Sequence, residues 1–520
     1  MGWDVVVCGA GHNGLTTAAY LAKAGFGVLV LDARSVPGGD TASEELTLPG
    51  FLHDSCSTAH NVIQANPLIR DDELGLRRDY GLEYIEPDPV VRMPFPDGEV
   101  LTMWRDVDAT CDEIARFSPA DALEYRRMMD EYDRIKGVFS SFDHTPIGWG
   151  PSLDELLAGH PDGARWMKIR RMSAADVIRG RVSHPHVVTF LLWMSFMTMQ
   201  PPQRLGTGRL AYSLAYGRQT RSWIIPRGGS AALPQALVRL IEDHGGEVRT
   251  GVRVGKLVLE GGRCVGVEAE SGEVYRARRA VVSSIHLKHL IDMAPSEMWD
   301  EAFRFGVDTW RPGVSMFVAH YATTQPPLVG SGPPSVAIGV GVDPDRMLRV
   351  GEAFDRGRVD LDDPPLLVLT PTVADPSRAP EGRHTLKVVG FQPYEIDDPG
   401  RWDSIRDEVA EANLAHLRRY APNLTDDVIL ASAVKSPVDL ERMNPHNWHG
   451  SCHGGDQGIF QAAELRPAPG WSDHRLPIPG LYQTGSTTHP GGSVSGGPGR
   501  NAARVLLADL GTSLEAVISA

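Results

Sequence analysis

The first 32 residues carry a pattern that few folds can accommodate. Asp4-Val5-Val6-Val7-Cys8 is a β-branched run suited to a strand buried on both faces of a parallel sheet. It leads into Gly9-Ala10-Gly11-His12-Asn13-Gly14, a GxGxxG loop. An Ala/Leu-rich helix from Leu15 to Ala24 follows, closed by Gly25, and a second strand, Gly27 to Leu31, ends on Asp32. Gly9 permits the tight turn, Gly11 lets the backbone approach a pyrophosphate, and Gly14 allows the helix to pack closely on the strand. The N–H groups at the start of that helix, around His12 and Asn13, face the phosphates with the positive end of the helix dipole behind them. Asp32 is placed to accept hydrogen bonds from an adenosine ribose, and its charge disfavours the 2′-phosphate of NADP. A lone GxGxxG says little, but strand, loop, helix, strand and acid within about thirty residues predict an α/β dinucleotide-binding unit.

Composition narrows the rest. At 520 residues and 42% apolar, the chain is too apolar for disorder and too long for one core. The 51 basic and 66 acidic residues leave a net charge of −15, which excludes a nucleic-acid backbone as the expected partner. Cys8, Cys56, Cys111, Cys264 and Cys452 are odd in number and form no CxxC pair. With no basic leader before the first strand, they point to a reducing, cytoplasmic setting. The longest nearly apolar stretch, Val187 to Met199, is shorter than the roughly 20 residues of a spanning helix. It reads either as a buried helix or as a pocket wall in which Phe190, Trp193, Met194, Phe196 and Met197 would meet an apolar substrate.

Three further segments extend the dinucleotide pattern. Asp32-Ala33-Arg34 followed by Pro37-Gly38-Gly39 resembles the extended FAD fingerprint of glutathione-reductase-type flavoproteins. That resemblance implies that Ala33, Arg34, Gly38 and Gly39 continue the groove towards the flavin. Asp40 receives no role. Mid-chain, Pro226-Arg227-Gly228-Gly229-Ser230 precedes an apolar helix, Ala231 to His244. Short strands follow: Glu247 to Leu259, Cys264 to Ala269, Val274 to Ala277 and Ala280 to Ser284. In the resembling families a valine early in such a strand offers its backbone to the adenine, and Val254 fits that position. Near the C-terminus a strand, Gly480 to Gly485, runs into Ser486 and a glycine-dense loop containing Gly492, Ser493 and Val494, with a helix from Arg500 onward. Dense glycine brings backbone N–H groups close to a planar ligand, and the helix start stabilises negative charge on a reduced ring.

Together these segments resemble the phytoene desaturase group of FAD-dependent oxidoreductases, above all the branch containing pyridine nucleotide-disulphide oxidoreductase domain-containing protein 2. Leu48-Pro49-Gly50-Phe51, Asp375 to Pro380, Ser436 to Glu441 and Thr488-His489-Pro490-Gly491-Gly492 share the likeness. The resemblance implies a glutathione-reductase-type FAD-binding Rossmann domain (1–90, 215–290 and 441–520) with an inserted α+β substrate-binding domain (91–214 and 291–440). It implies a dehydrogenase or desaturase that removes hydride from an apolar small molecule, isoprenoid or alicyclic in type, and passes electrons to oxygen, a quinone or another carrier. Contact with a membrane surface, where such a substrate resides, stays open.

Rival readings on the same fold are an amine or alcohol oxidase making hydrogen peroxide, a redox-neutral polyene isomerase, and a non-enzymatic prenyl-binding protein. Flavin amine oxidases usually carry an acid after the strand glycine, where Ser486 follows Gly485 here; ribityl and phosphate contacts then fall to the backbone of those two residues. His489, inside the flavin loop, is the first candidate base and His453 the second, each with an equally ordinary structural reading. His446, His449, Cys452 and His453 have spacings a metal could use. The resemblance makes that stretch a loop beside the flavin, and no metal is expected.

Overall fold

The computed structural model describes residues 2–396 and 401–519. Strand β1 (Trp3–Cys8), helix α1 (His12–Lys23) and strand β2 (Val28–Leu31) follow the N-terminal pattern. β1 pairs in parallel with β2, Val5 opposite Val28 and Cys8 opposite Leu31. On its other side β1 pairs in parallel with Val274–Ser283, Val5 opposite Ala280 and Cys8 opposite Ser283. The far half of that long strand is also met in parallel by Leu481–Gln483, while its first half forms an antiparallel ribbon with Arg263–Ala269. Strands from opposite ends of the chain thus share one sheet, and β1 is fully buried at Val5, Val6 and Val7.

The stretch read as one strand from Glu247 to Leu259 is two. Glu247–Arg249 joins β2 in parallel, and Val254–Glu260 opens the antiparallel ribbon. Between them Gly251 turns with φ +73°, and the amides of Gly251 and Val252 bond the carbonyls of Arg34 and Asp32 at 2.8 Å. Val254 is therefore the first residue of its strand, brought over the end of β2. α1 packs against Ala232–Asp243 and Gly497–Asp509. The last contact is close enough that a Cβ on Gly499 would lie 2.5 Å from the Asn13 carbonyl oxygen, and Thr17 Oγ1 donates to the Gly499 carbonyl at 2.9 Å.

A second, mostly antiparallel sheet runs in the order Ile429–Lys435, Met316–Thr323, His384–Phe391, Leu366–Leu369, Ala337–Val340, Val91–Pro94 and Val100–Met103. Its two faces serve different layers, as a strand's period of two requires. Phe317, Ala319 and Tyr321 pack with Trp402, Val409 and Leu417 of the helix Trp402–Arg418. Met316 and Val318 face the other way, towards a core shared with the helices Pro119–Asp143, Pro185–Phe196 and Leu210–Arg221. The architecture is a Rossmann-type α/β unit joined to a second α+β unit.

Helix Pro185–Phe196 takes the first of its two readings, a buried helix and not a pocket wall. It is apolar on every side and lies inside the core. Trp193 Nε1 donates to the Leu366 carbonyl at 3.1 Å, and the Phe196 ring stands 4.4 Å from that of Phe391. Phe190, Trp193, Met194 and Phe196 are packing residues; only Met197, in the turn after the helix, reaches a cavity. Among the described residues no helix is long and apolar enough to cross a membrane.

Candidate active site

A continuous cavity of about 540 Å³ begins at the C-terminal ends of β1 and β2 and extends to the second sheet. Gly9, Gly11, His12, Asn13, Gly14, Asp32, Ala33, Arg34, Gly38, Gly39 and Val254 line its first stretch. Among the described residues no side chain caps α1 at Gly11, so the opening N–H groups of the helix remain free. A Cβ on Gly11 would meet nothing within 4 Å, because the residue borders open space. Gly14 is different: a Cβ there would lie 2.1 Å from the Gly9 carbonyl oxygen, so it serves close packing.

Asp32 accepts from the Ala10 amide at 2.6 Å and the Arg34 amide at 2.8 Å. Burial raises its pKa, and those two bonds oppose the rise. A carboxylate has about four lone-pair sites, so further capacity remains for a ribose. Arg34 donates to the Gly39 carbonyl at 2.7 Å and to Glu44 at 2.9 Å, which fastens the Gly38–Gly39 turn against the groove. Asp40, given no role from sequence, accepts from both Asn444 and Asn447 at 2.9 Å and so anchors the loop that carries His446.

Gly485, Ser486, Ser493 and Val494 line the next stretch of the cavity. Gly492 does not: it is pressed against His453, whose carbonyl oxygen a Cβ would approach to 2.5 Å. Ser486 is held from two sides. Its hydroxyl shares a hydrogen bond with His446, and its carbonyl accepts from buried Arg466, with Nε at 2.9 Å. Burial pulls the Arg466 pKa down to about 9.

His453 lines the cavity and stands 3.1 Å from the Gln457 amide nitrogen. Burial, reinforced by the Arg466 charge, brings its pKa down to about 4, so the imidazole is neutral near pH 7. His489 does not line the cavity. Its Nε2 donates to the Phe142 carbonyl at 3.0 Å and its ring sits edge-on to Phe142, so it ties the C-terminal glycine-rich loop to the helix Pro119–Asp143. His449 stacks on Tyr394 at 4.6 Å, away from His446 and His453, and no metal-holding cluster occurs among the described residues.

Sequence reasoning singled out none of Thr58, Asn61, Thr198, Arg218 and Lys387, which also line the cavity. They lie outside every glycine-rich motif, so no local signal marked them. Thr58 Oγ1, Asn61 Oδ1 and Thr198 Oγ1 are buried with no hydrogen-bond partner among the described residues. Orphaned polar atoms lining a cavity suit a ring edged with N–H and C=O groups, as isoalloxazine is. Beyond them the wall turns apolar, with Met199, Leu214, Met316, Leu369, Val389 and Phe391.

The sequence profile described as flavin containing amine oxidoreductase matches residues 14–507. The chain belongs to this family. As a flavin-containing amine oxidoreductase it is an FAD-dependent oxidoreductase, and the free helix start, Asp32 and the orphaned polar atoms fit that cofactor. It is 28% identical to a limonene dehydrogenase polypeptide of Castellaniella defragrans, over 98% of this chain and 95% of that one. It is 27% identical to pyridine nucleotide-disulfide oxidoreductase domain-containing protein 2 of Mus musculus (98% and 94% covered) and to the lycopene-forming phytoene desaturase of Pantoea ananas (97% and 99%). The resemblance read from the glycine-rich motifs is thereby borne out. An oxidoreductase from Methanosarcina mazei shares the fold, with a TM-score of 0.63 at 18% identity, covering 97% of this chain and 99% of that one.

Proposed function

We propose that this flavoprotein is a dehydrogenase or desaturase that takes hydride from an apolar small molecule of isoprenoid or alicyclic type and hands the electrons to oxygen, a quinone or another carrier. One observation carries the reading: the dinucleotide cradle and a largely apolar chamber are two ends of the same cavity. The names of the relatives, a limonene dehydrogenase and a phytoene desaturase, support the substrate class. When bound, FAD supplies the two-electron acceptor. In this reading Gly9 to Gly14, Asp32 and Val254 hold the adenosine and pyrophosphate, Gly485, Ser486, Ser493 and Val494 face the ribityl chain and ring, and the apolar wall excludes water from the carbon that loses hydride. In the same reading His453, one of several imidazoles at the cavity wall and neutral near pH 7, takes up the proton.

Segments 1–90, 215–290 and 441–520 form the FAD-binding part and 91–214 and 291–440 the substrate part, a division supported by the membership of the two sheets. The unpaired cysteines support a cytoplasmic setting, with peripheral membrane contact as the route for an apolar substrate.

The test is direct. Purified protein should be yellow, with flavin bands near roughly 370 and 450 nm, and an apolar substrate should bleach the longer-wavelength band without oxygen. Stoichiometric peroxide with an amine would favour an oxidase instead. A colourless preparation that refuses added FAD overturns the reading.

A further inference from the structure

Arg218 stands out among the buried arginines. Arg378 lies 2.7 Å from Asp54, Arg209 bonds Asp143 at 2.9 Å, Arg500 pairs with Glu73, and Arg466 bonds three backbone carbonyls. Arg218, on the helix Leu210–Arg221, is 7% exposed and lines the cavity. Among the described residues its Nε has no hydrogen-bond partner, and its one hydrogen bond is a long 3.5 Å contact from Nη1 to the Leu214 carbonyl. The guanidinium lies over the Trp223 ring, 4.3 Å from its centroid. Among the described residues no carboxylate pairs with it. Burial brings its pKa down to about 10, so it stays charged at neutral pH.

A second cation faces the same cavity. Lys387, from the strand His384–Phe391, is 4% exposed and donates to the Cys56 carbonyl. The acid that influences it, Asp54, already accepts from Ser43 and Ser230 and lies against Arg378. An ammonium has three donors, so Lys387 keeps capacity for a ligand.

A buried charge left without a partner is costly, and a chamber built for a hydrocarbon needs none. We propose that the apolar end of the cavity recognises a carboxylate, with Arg218 as its principal partner and Lys387 as a second, so that the substrate is an apolar acid rather than a plain hydrocarbon. The planar guanidinium offers paired donors that match a carboxylate, and Trp223 holds its plane in place. The inference rests on the proposed function and narrows its substrate class.

The experiment titrates the FAD-loaded enzyme with octanoate and cyclohexanecarboxylate, and with 1-octanol and cyclohexylmethanol as neutral counterparts, reading the flavin difference spectrum. Each carboxylate should bind about tenfold or more tightly than its alcohol, a charge-assisted preference. Arg218→Leu should remove that gap, Arg218→Lys should keep part of it, and Lys387→Met should reduce it. Equal binding of acids and alcohols, no spectral response to any acid, or a gap that survives Arg218→Leu overturns the inference. Should Arg218→Leu fail to hold FAD, the wild-type ratio and Lys387→Met decide. A preparation that cannot bind FAD sinks the proposed function, whereas a yellow enzyme without a preference for acids sinks only this inference.

Discussion

Arg500 holds both carboxylate oxygens of Glu73, through Nε and Nη2 at 2.8 Å each, with the two side chains 11% and 8% exposed. The Tyr20 hydroxyl donates to the same carboxylate, so α1, the loop that carries Glu73 and the helix Gly497–Asp509 meet at one buried charge. Breaking such a pair from one side leaves the other charge uncompensated. Arg500→Met should therefore cost about 3–5 kcal/mol in urea unfolding, and the double variant with Glu73→Gln should recover part of the loss.

Two glycines of one motif should behave differently. Gly11 borders the cavity, so Gly11→Ala should fold with little change in Tm yet retain far less FAD, because in the proposed binding mode the pyrophosphate passes over Gly11. Gly14 is packed against the Gly9 carbonyl, so Gly14→Val should lower Tm itself. Flavin absorbance and circular dichroism on the same samples separate the two.

The two histidines proposed from sequence should part company in the same way. His453→Gln should keep FAD and slow turnover by about 10²-fold, the scale of a lost proton acceptor. His489→Ala should act on thermal stability, since its visible work is the bond to Phe142. An unchanged turnover in His453→Gln would remove that residue from the chemistry.

Acid should weaken the fold over a defined window. Burial brings the pKa of His53 down to about 4, and those of His60 and His474 to about 3. In the unfolded chain each returns to about 6.5, so between about pH 6.5 and 4 the unfolded state binds more protons. Stability then falls as pH drops through that range, by on the order of 3 kcal/mol per histidine once pH 4 is reached, and these residues add no slope above pH 7. Asp54, whose pKa the neighbouring Arg378 charge depresses against the effect of burial, loses its contribution only below about pH 4. A Tm that held steady from pH 7 to 4.5 would contradict the histidine argument.

Much of the cofactor end is legible in the sequence. Gly9, Gly11, Gly14 and Asp32 act through geometry within some twenty residues of chain, and all of them line the cavity. The helix Gly497–Asp509 is visible from Pro498 and its glycines, which set its start. Other residues depend on partners that the sequence does not show. Gly492 and His489 sit in the right loop but meet His453 and Phe142, partners that no local pattern names. Phe190 and Trp193 have a composition equally suited to a core and to a pocket wall, and only the sheet packed on them chose the core.

What the amino-acid order determined alone was the βαβ turn, the acid after it and the glycine spacing that leaves a helix start free, because backbone conformation over a short window follows from the residues in that window. What the tertiary structure decided was which distant side chains face one another: Ser486 beside His446, Asp40 beneath Asn444, and Arg218 over Trp223 with no acid paired to it among the described residues. Those pairings depend on how two sheets and their helices close around a shared cavity, and packing across hundreds of residues leaves no periodic trace in any one of them.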